Sequence, residues 1–253
     1  MLILRNNNEY KHLEDSLMNI PNVFAQSGTS IYKGRNEIRL IPFGDELFAV
    51  KSFKIPHIIN KIAYGFLRSS KAKRSYEYAL QLKKKGVNTP TPIAYIEEKK
   101  CGLLLRSYYI SSYENYSGLL RELAFHPLEE VKNLVEAFAH FTASLHNQQI
   151  LHIDYSPGNI MYEKIGEQYK FCLVDINRMK FVEVDMKTGC FNLCRLWGSD
   201  ETISHIARIY AQDRNFDEKE CVKLVLHYHK KFWEGKIKRG SKIRPYMADE
   251  NKD

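Results

Sequence analysis

The chain has 253 residues, 44% of them hydrophobic, enough for one large domain or two closely packed lobes around a real core. Its formal charge of +8 favours an anionic partner such as nucleotide, phospholipid, phosphorylated glycolipid or nucleic acid, without choosing among them. Nowhere is there a run of about 18 apolar residues that could span a bilayer, and five cysteines without a short-paired pattern exclude a disulfide framework and point to a reducing cytosol.

Met1-Leu2-Ile3-Leu4, followed at once by Arg5, is too short for a signal-peptide core. Asn8 to Met18 has helix-compatible but weak spacing. From Val23 to Phe53 the apolar positions alternate and favour β-branched and aromatic types, which predicts a small antiparallel sheet of three strands. Its breaks are Ser27-Gly28, Lys33-Gly34 and Pro42 to Asp45. Alternation puts Lys51 on the face opposite Val50, where a cation could meet a nucleotide. The loop from Ser27 to Gly34 would then cover phosphates, although Gly28 and Gly34 do not form G-x-G-x-x-G and also suit an ordinary hairpin turn.

Lys54 to Arg74 mixes isoleucines and aromatics with lysine and arginine. It suits a loop with a partly buried helix, or a basic amphipathic surface toward a membrane or lipid-linked substrate. Ser75 to Lys85 is a predicted helix stopped by Gly86 and carrying Glu77. Thr89-Pro90-Thr91-Pro92 forces extended backbone into a strand from Ile93 to Ile96. Gly102 to Arg106 has the pattern of a short buried strand, and Ser107 to Ser117 suits a link between lobes.

Leu128, Val131, Leu134, Val135, Phe138, Phe141, Thr142 and Leu145 follow the spacing of a long helix with one buried stripe. It delivers the chain to His152-Ile153-Asp154-Tyr155-Ser156-Pro157-Gly158-Asn159, which places a carboxylate and a carboxamide on one short loop. Phe171 to Val174 then predicts a buried strand ending in Asp175. Beyond it, Phe181 to Val184 suggests a strand, Phe191 to Trp197 and Thr202 to Ala211 suggest helices, and Cys221 to Trp233 suggests a final amphipathic helix. Lys236 to Asp253 has the composition of a mobile tail. Cys190 and Cys194 lack a second ligand pair at zinc spacing, so free thiols are expected, and His140, His146 and His152 do not share a helical face.

Phosphoryl transfer asks a protein mainly for positioning and charge compensation. Asp154 is placed to orient or deprotonate an acceptor hydroxyl. Asn159 and Asp175 can offer oxygens to magnesium, Lys51 can balance phosphate charge, and Glu77 can orient Lys51. His152 is read as support for the loop.

This ordered set resembles the protein-kinase-like superfamily, whose catalytic loop is H-R-D-x-x-x-x-N and whose metal segment is D-F-G. The departures matter. Ile153 replaces the arginine that pairs with a phosphorylated activation loop, and Ser156 stands where serine/threonine kinases have a lysine. Asp175-Ile176-Asn177 replaces D-F-G, with Asn177 expected to tolerate a left-handed backbone, and no A-P-E follows. Within that superfamily, Arg74 to Glu77 through Gly86 to Pro92, His152 to Asn159, and Val174 to Arg178 look like the lipopolysaccharide core kinases, the Kdo and heptose kinase family, over roughly residues 20 to 200.

The resemblance implies an α+β, two-lobed kinase-like fold in a single domain of residues 1–253. Its β-rich N-lobe would cover about 20–110 and its mainly helical C-lobe about 111–235, before a tail at 236–253. It also implies ATP and Mg2+, with transfer of the γ-phosphate to a sugar hydroxyl of the lipid A-linked core oligosaccharide. The expected location is cytoplasmic, with peripheral contact at the inner membrane, and no nucleic-acid partner is expected. The alternatives are an atypical protein kinase of the RIO/Bud32 type and a pseudokinase scaffold.

Overall fold

A computed structural model describes residues 1–54 and 69–241, and the chain divides into two compact units, Met1–Asn115 and Tyr116 onward. Most of the basic-apolar stretch, residues 55–68, lies outside the described residues, as does the tail from residue 242.

The first unit is built on one antiparallel six-stranded sheet. Its strands are β1 (Leu2–Asn6), β2 (Thr29–Lys33), β3 (Glu37–Phe43), β4 (Glu46–Phe53), β5 (Pro92–Lys100) and β6 (Leu103–Ser112), in the order β1-β5-β6-β4-β3-β2. The sheet is twice the predicted three strands because β1, β5 and β6 join β2 to β4 in it. Side-chain alternation divides β4 between two apolar clusters. Phe48 and Val50 face one with Ile41, Ile96 and Ile110, covered by the short helices α1 (Glu14–Met18) and α2 (Ile20–Val23) through Leu17 and Ile20. Phe53 belongs to the other, with Tyr95, Tyr109 and residues Ala72 and Tyr76 of helix α3 (Lys71–Lys84).

Three boundaries differ from expectation for local reasons. Val23 lies in α2, where Pro21 occupies a first-turn position that suits a helix start. Ser107 to Ser112 is strand, since β6 pairs with both β4 and β5 to its end. The interval between Gly28 and Gly34 is likewise strand: β2 is fully exposed along its length, so no burial pattern marks it. Helix α3 begins at the Ser70 cap, whose hydroxyl accepts from Lys73 N at 3.0 Å, and ends before Gly86 at φ +73°.

The second unit is mainly helical. Helix α4 (Leu128–Asn147) buries Leu134, Val135, Phe138, Ala139, Thr142, Leu145 and His146, and packs on α6 (Asp200–Asp213), which in turn packs on α7 (Glu218–Lys238). The chain leaves α4 through Gln149 at φ +61° and enters β8 (Ile150–His152). A short strand β7 (Gly118–Leu119) flanks the hairpin of β9 (Ile160–Ile165) and β10 (Gln168–Leu173), and β8 pairs with β11 (Met179–Phe181). The expected strand at Phe181 to Val184 is therefore shifted toward the N-terminus. Helix α5 (Met186–Asn192) starts before the expected Phe191 and gives way to a 3-10 turn at Leu193–Arg195. Lys236 to Lys238 continue α7 and are not part of a tail.

Candidate functional site

The loop after β8 is held by its own backbone and by one histidine. His152 is buried; its Nδ1 accepts from the Asp154 backbone N–H at 3.1 Å, and its Nε2–H donates to the Val174 carbonyl at 3.1 Å. A backbone N–H can only donate and a carbonyl can only accept, so the ring is the neutral Nε2–H tautomer. Burial pushes its pKa down, against the opposing pull of the Val174 hydrogen bond and of the Asp175 and Asp154 charges. The supporting role expected of His152 thus takes a definite form: one ring ties the segment bearing Asp154 to the segment bearing Asp175.

Asp154 and Asn159 are locked together. The Asn159 side-chain amide donates to the Asp154 carbonyl at 2.9 Å, and Ser156 N–H donates to the same carbonyl at 2.7 Å. Pro157 and Gly158 form the 3-10 corner between them. The β9–β10 register pairs Ile160 with Leu173, and Val174 N–H donates to the Asn159 carbonyl at 3.0 Å. The hairpin therefore delivers Asn159 and Asp175 at the same end.

Asp175 has left-handed backbone, φ +53° and ψ 42°. Asn177, expected from the sequence to take that conformation, sits instead in the 3-10 turn that follows, Ile176–Arg178. Its amide donates to Asp175 Oδ1 at 2.7 Å. The correction is physical: a carboxylate side chain tolerates the left-handed region, and the asparagine holds it there. A residue at such a φ is a conformation the surroundings must impose.

A second set of buried polar residues, not found from sequence, braces the loop from behind. Tyr210 O–H donates to His146 Nδ1 at 2.9 Å, His146 Nε2–H donates to Asn192 Oδ1 at 3.2 Å, and the Asn192 amide donates to the His152 carbonyl at 2.9 Å. Burial lowers the pKa of His146 to about 4, so it is neutral, as the relay requires. Gly189 in α5 makes the relay possible, because a Cβ there would stand 2.0 Å from the Tyr210 hydroxyl. Tyr155, on the loop itself, is 1% exposed, stacks on Phe138 and shares a 2.9 Å hydrogen bond with Thr142 of α4. Arg195, from the turn after α5, reaches Asp154 Oδ1 with Nη1 at 3.0 Å.

In the first unit Lys51 lies opposite Tyr109 in the β4–β6 register, with its Nζ 5.3 Å from the Phe53 ring centroid, on the sheet face that α3 covers. Glu77 projects from α3, about half-exposed, and pairs with Lys73 at 3.8 Å. It lines a polar cleft with Arg5, Asn7 and Tyr95. Gly28 immediately precedes β2 at φ +62°, where a Cβ would overlap the Leu40 carbonyl oxygen at 1.8 Å. Arg39 clamps that approach by donating to Ser27 O and Gly28 O at 2.8 and 3.0 Å. Gly34 lies at the hairpin turn after β2, its N–H donating to Asn36 O at 3.0 Å, so the two glycines are at opposite ends of a strand.

The five cysteines are free thiols, and Cys190 and Cys221 bring their sulfurs to 3.4 Å in the interior. Among the described residues no group of three or more His, Cys, Asp or Glu could hold a metal, and no helix is long and apolar enough to cross a membrane.

A model of the lipopolysaccharide kinase (Kdo/WaaP) family matches residues 54–228. No curated protein matches the sequence. Among solved structures, WaaP in complex with acyl carrier protein is similar at a TM-score of 0.62 and 14% identity, over 92% of this chain and 98% of that one. The PknI kinase domain of Mycobacterium tuberculosis is similar at a TM-score of 0.43 and 13% identity, over 79% and 94%. Rio2 kinase from Chaetomium thermophilum gives 0.45 and 14%, over 97% and 79%. The fold is the two-lobed kinase-like one, with an antiparallel β-rich N-terminal part and a helical C-terminal part.

Proposed function

The chain belongs to the lipopolysaccharide kinase (Kdo/WaaP) family, and from that premise we propose that it transfers the γ-phosphate of ATP to a hydroxyl of a Kdo or heptose in the lipopolysaccharide inner core. Residues 1–253 act in this reading as one kinase domain, working in the cytoplasm on a lipid-linked acceptor presented at the inner membrane. The observation that supports it most is the junction of the two acid-bearing segments through His152, which donates to Val174 O and accepts from Asp154 N–H at 3.1 Å each.

The chemistry follows from the oxygens. Asp154 orients the acceptor hydroxyl and takes its proton as that oxygen bonds to the γ-phosphorus. The bond from phosphorus to the β–γ bridging oxygen breaks, and ADP leaves with the electron pair. Lys51 balances phosphate charge and Glu77 steadies it, turning from Lys73 to do so.

The residues present fit a divalent cation. Asn159 spends its amide N–H on the Asp154 carbonyl and keeps its side-chain oxygen, and Asp175 adds a carboxylate, one oxygen of which accepts from Asn177. One or two protein oxygens completed by phosphate and water is how magnesium is ordinarily held. Bound there, Mg2+ would compensate the charge of the β- and γ-phosphates.

The test is label transfer from γ-phosphate-labelled ATP to purified inner-core glycolipid and, separately, to protein. Label on the glycolipid, lost in Asp154→Asn, is expected. Label on protein alone would move the chain to the atypical protein kinases, and nucleotide binding without transfer to either would make it a scaffold.

A further inference from the structure

The catalytic loop of this chain carries no cation of its own, since Ser156 occupies the position two residues after Asp154. The structure supplies one from elsewhere. Arg195 Nη1 donates to Asp154 Oδ1 at 3.0 Å, across 41 residues of sequence. We propose that Arg195 is a positioning residue for phosphoryl transfer: it fixes the Asp154 carboxylate through Oδ1 and so presents Oδ2 to the acceptor hydroxyl. This rests on the transferase reading above.

The placement of Arg195 is built. The α5 helix stops at Asn192 and the chain turns through Leu193–Arg195 into extended backbone at Leu196, φ −64° and ψ 158°. Leu196 is fastened there from α7, because its carbonyl accepts from His229 Nε2–H at 3.0 Å and from Trp233 Nε1–H at 3.2 Å. The Arg195 guanidinium lies over the Phe232 ring of the same helix, 5.2 Å from its centroid. The residue before the turn, Asn192, is the one that holds the His152 carbonyl at 2.9 Å. One short segment therefore fixes the loop backbone through Asn192 and the loop carboxylate through Arg195.

The Asp154 backbone is restrained at both polar points as well. Its N–H is taken by His152 at 3.1 Å and its carbonyl by Asn159 at 2.9 Å. Without Arg195 the carboxylate could still rotate about its side-chain torsions, and a misplacement of about 1 Å costs roughly a hundredfold in rate. The pair is about one-third exposed on each side, 30% for Arg195 and 32% for Asp154. A partly exposed ion pair of this kind adds little to stability, so a large kinetic effect would not come through unfolding.

The experiment is steady-state kinetics of Arg195→Met, which keeps an apolar stem against Phe232, beside Arg195→Lys and Arg195→Met with added guanidinium chloride. Two acceptors are used: core glycolipid, and water as slow ATP hydrolysis, which needs no sugar. For Arg195→Met the expected result is a roughly hundredfold lower kcat, an unchanged KM for ATP and an unchanged melting temperature. Arg195→Lys should fall between, since an ammonium restores charge without the planar fork, and guanidinium should restore part of the Met variant's rate. An unchanged kcat overturns the proposal. So does a lost kcat that neither lysine nor guanidinium recovers, which would mark a purely architectural residue. Should Arg195→Met prove unstable, Arg195→Lys decides by the same split: kcat lowered at constant KM supports the role, and wild-type kinetics contradict it. Hydrolysis that depends on Arg195 without any transfer to glycolipid would keep this inference and remove the sugar acceptor. A wild-type protein that transfers to neither acceptor overturns both.

Discussion

The two units hold their candidate site residues by different means. In the second, Asp154 is held by its neighbours His152, Ser156 and Asn159 and, from 41 residues away, by Arg195, while the chain Tyr210–His146–Asn192–His152 fixes the loop backbone without exposing any of its members. In the first, Lys51 is held by strand register and Glu77 by a helix surface, its ion pair with Lys73 at 3.8 Å being a half-exposed one. The contrast teaches that geometry in the loop is set by buried hydrogen bonds, whereas Glu77 in the sheet unit rests on a half-exposed ion pair. Mutations should divide accordingly: changes in the buried relay of the second unit couple stability to activity, and changes at Lys51 in the first separate them.

The largest separation is expected at Lys51. Lys51→Met should lower kcat/KM by roughly 10²–10³-fold through lost phosphate compensation, with a urea midpoint equal to wild type; a stability loss as large as the kinetic one would erase the contrast. Asn192→Leu should do the reverse. It strands His146 Nε2–H and the His152 carbonyl in the interior, each costing about 1–3 kcal/mol, so denaturant titration should show about 2–6 kcal/mol lost, and activity should fall with it. Full stability in that variant would mean that the relay does not brace the loop.

Acid gives the next effect. His146 has a folded pKa of about 4, below the ordinary 6.5, so its neutral form is favoured by the fold. The stability it contributes is complete above about pH 6.5 and is lost as pH falls toward 4, by up to ~3 kcal/mol. His152 and His229 are shifted in the same direction by burial. Unfolding free energy measured from pH 7.5 down to 4.5 should therefore decline with a slope that His146→Gln flattens; a flat wild-type profile would contradict neutral burial. Smallest is Tyr155→Phe, which deletes one shared hydrogen bond with Thr142 and should cost about 1 kcal/mol by the same titration.

What the sequence disclosed follows the same line. The loop from His152 to Asn159 and the acid after β10 are contiguous signals, and the α4 stripe is periodic, so both were legible in the residues alone. Asn159 and Asp175 needed only the hairpin register to come together. Arg195, Asn192 and Tyr210 carry no periodic or motif signature; their roles come from contacts spanning 40 or more residues, which only the fold reveals. The sheet is larger than expected because β1 is short with no fully buried residue, and because the strands at Ile93–Ile96 and Gly102–Arg106, legible as strands, join it through pairings distant in sequence. Asn177 was matched to the wrong backbone because its work is done by a side chain, on its neighbour Asp175.

The central claim is that Asp154 carries phosphate transfer to the lipopolysaccharide core. Mass spectrometry of core oligosaccharide from cells whose only copy of the gene is wild type or encodes Asp154→Asn tests it most directly. The account predicts a core sugar phosphate with the wild-type chain and the same oligosaccharide lacking one phosphate with the variant, at equal protein abundance. Identical phosphorylation in the two would contradict it.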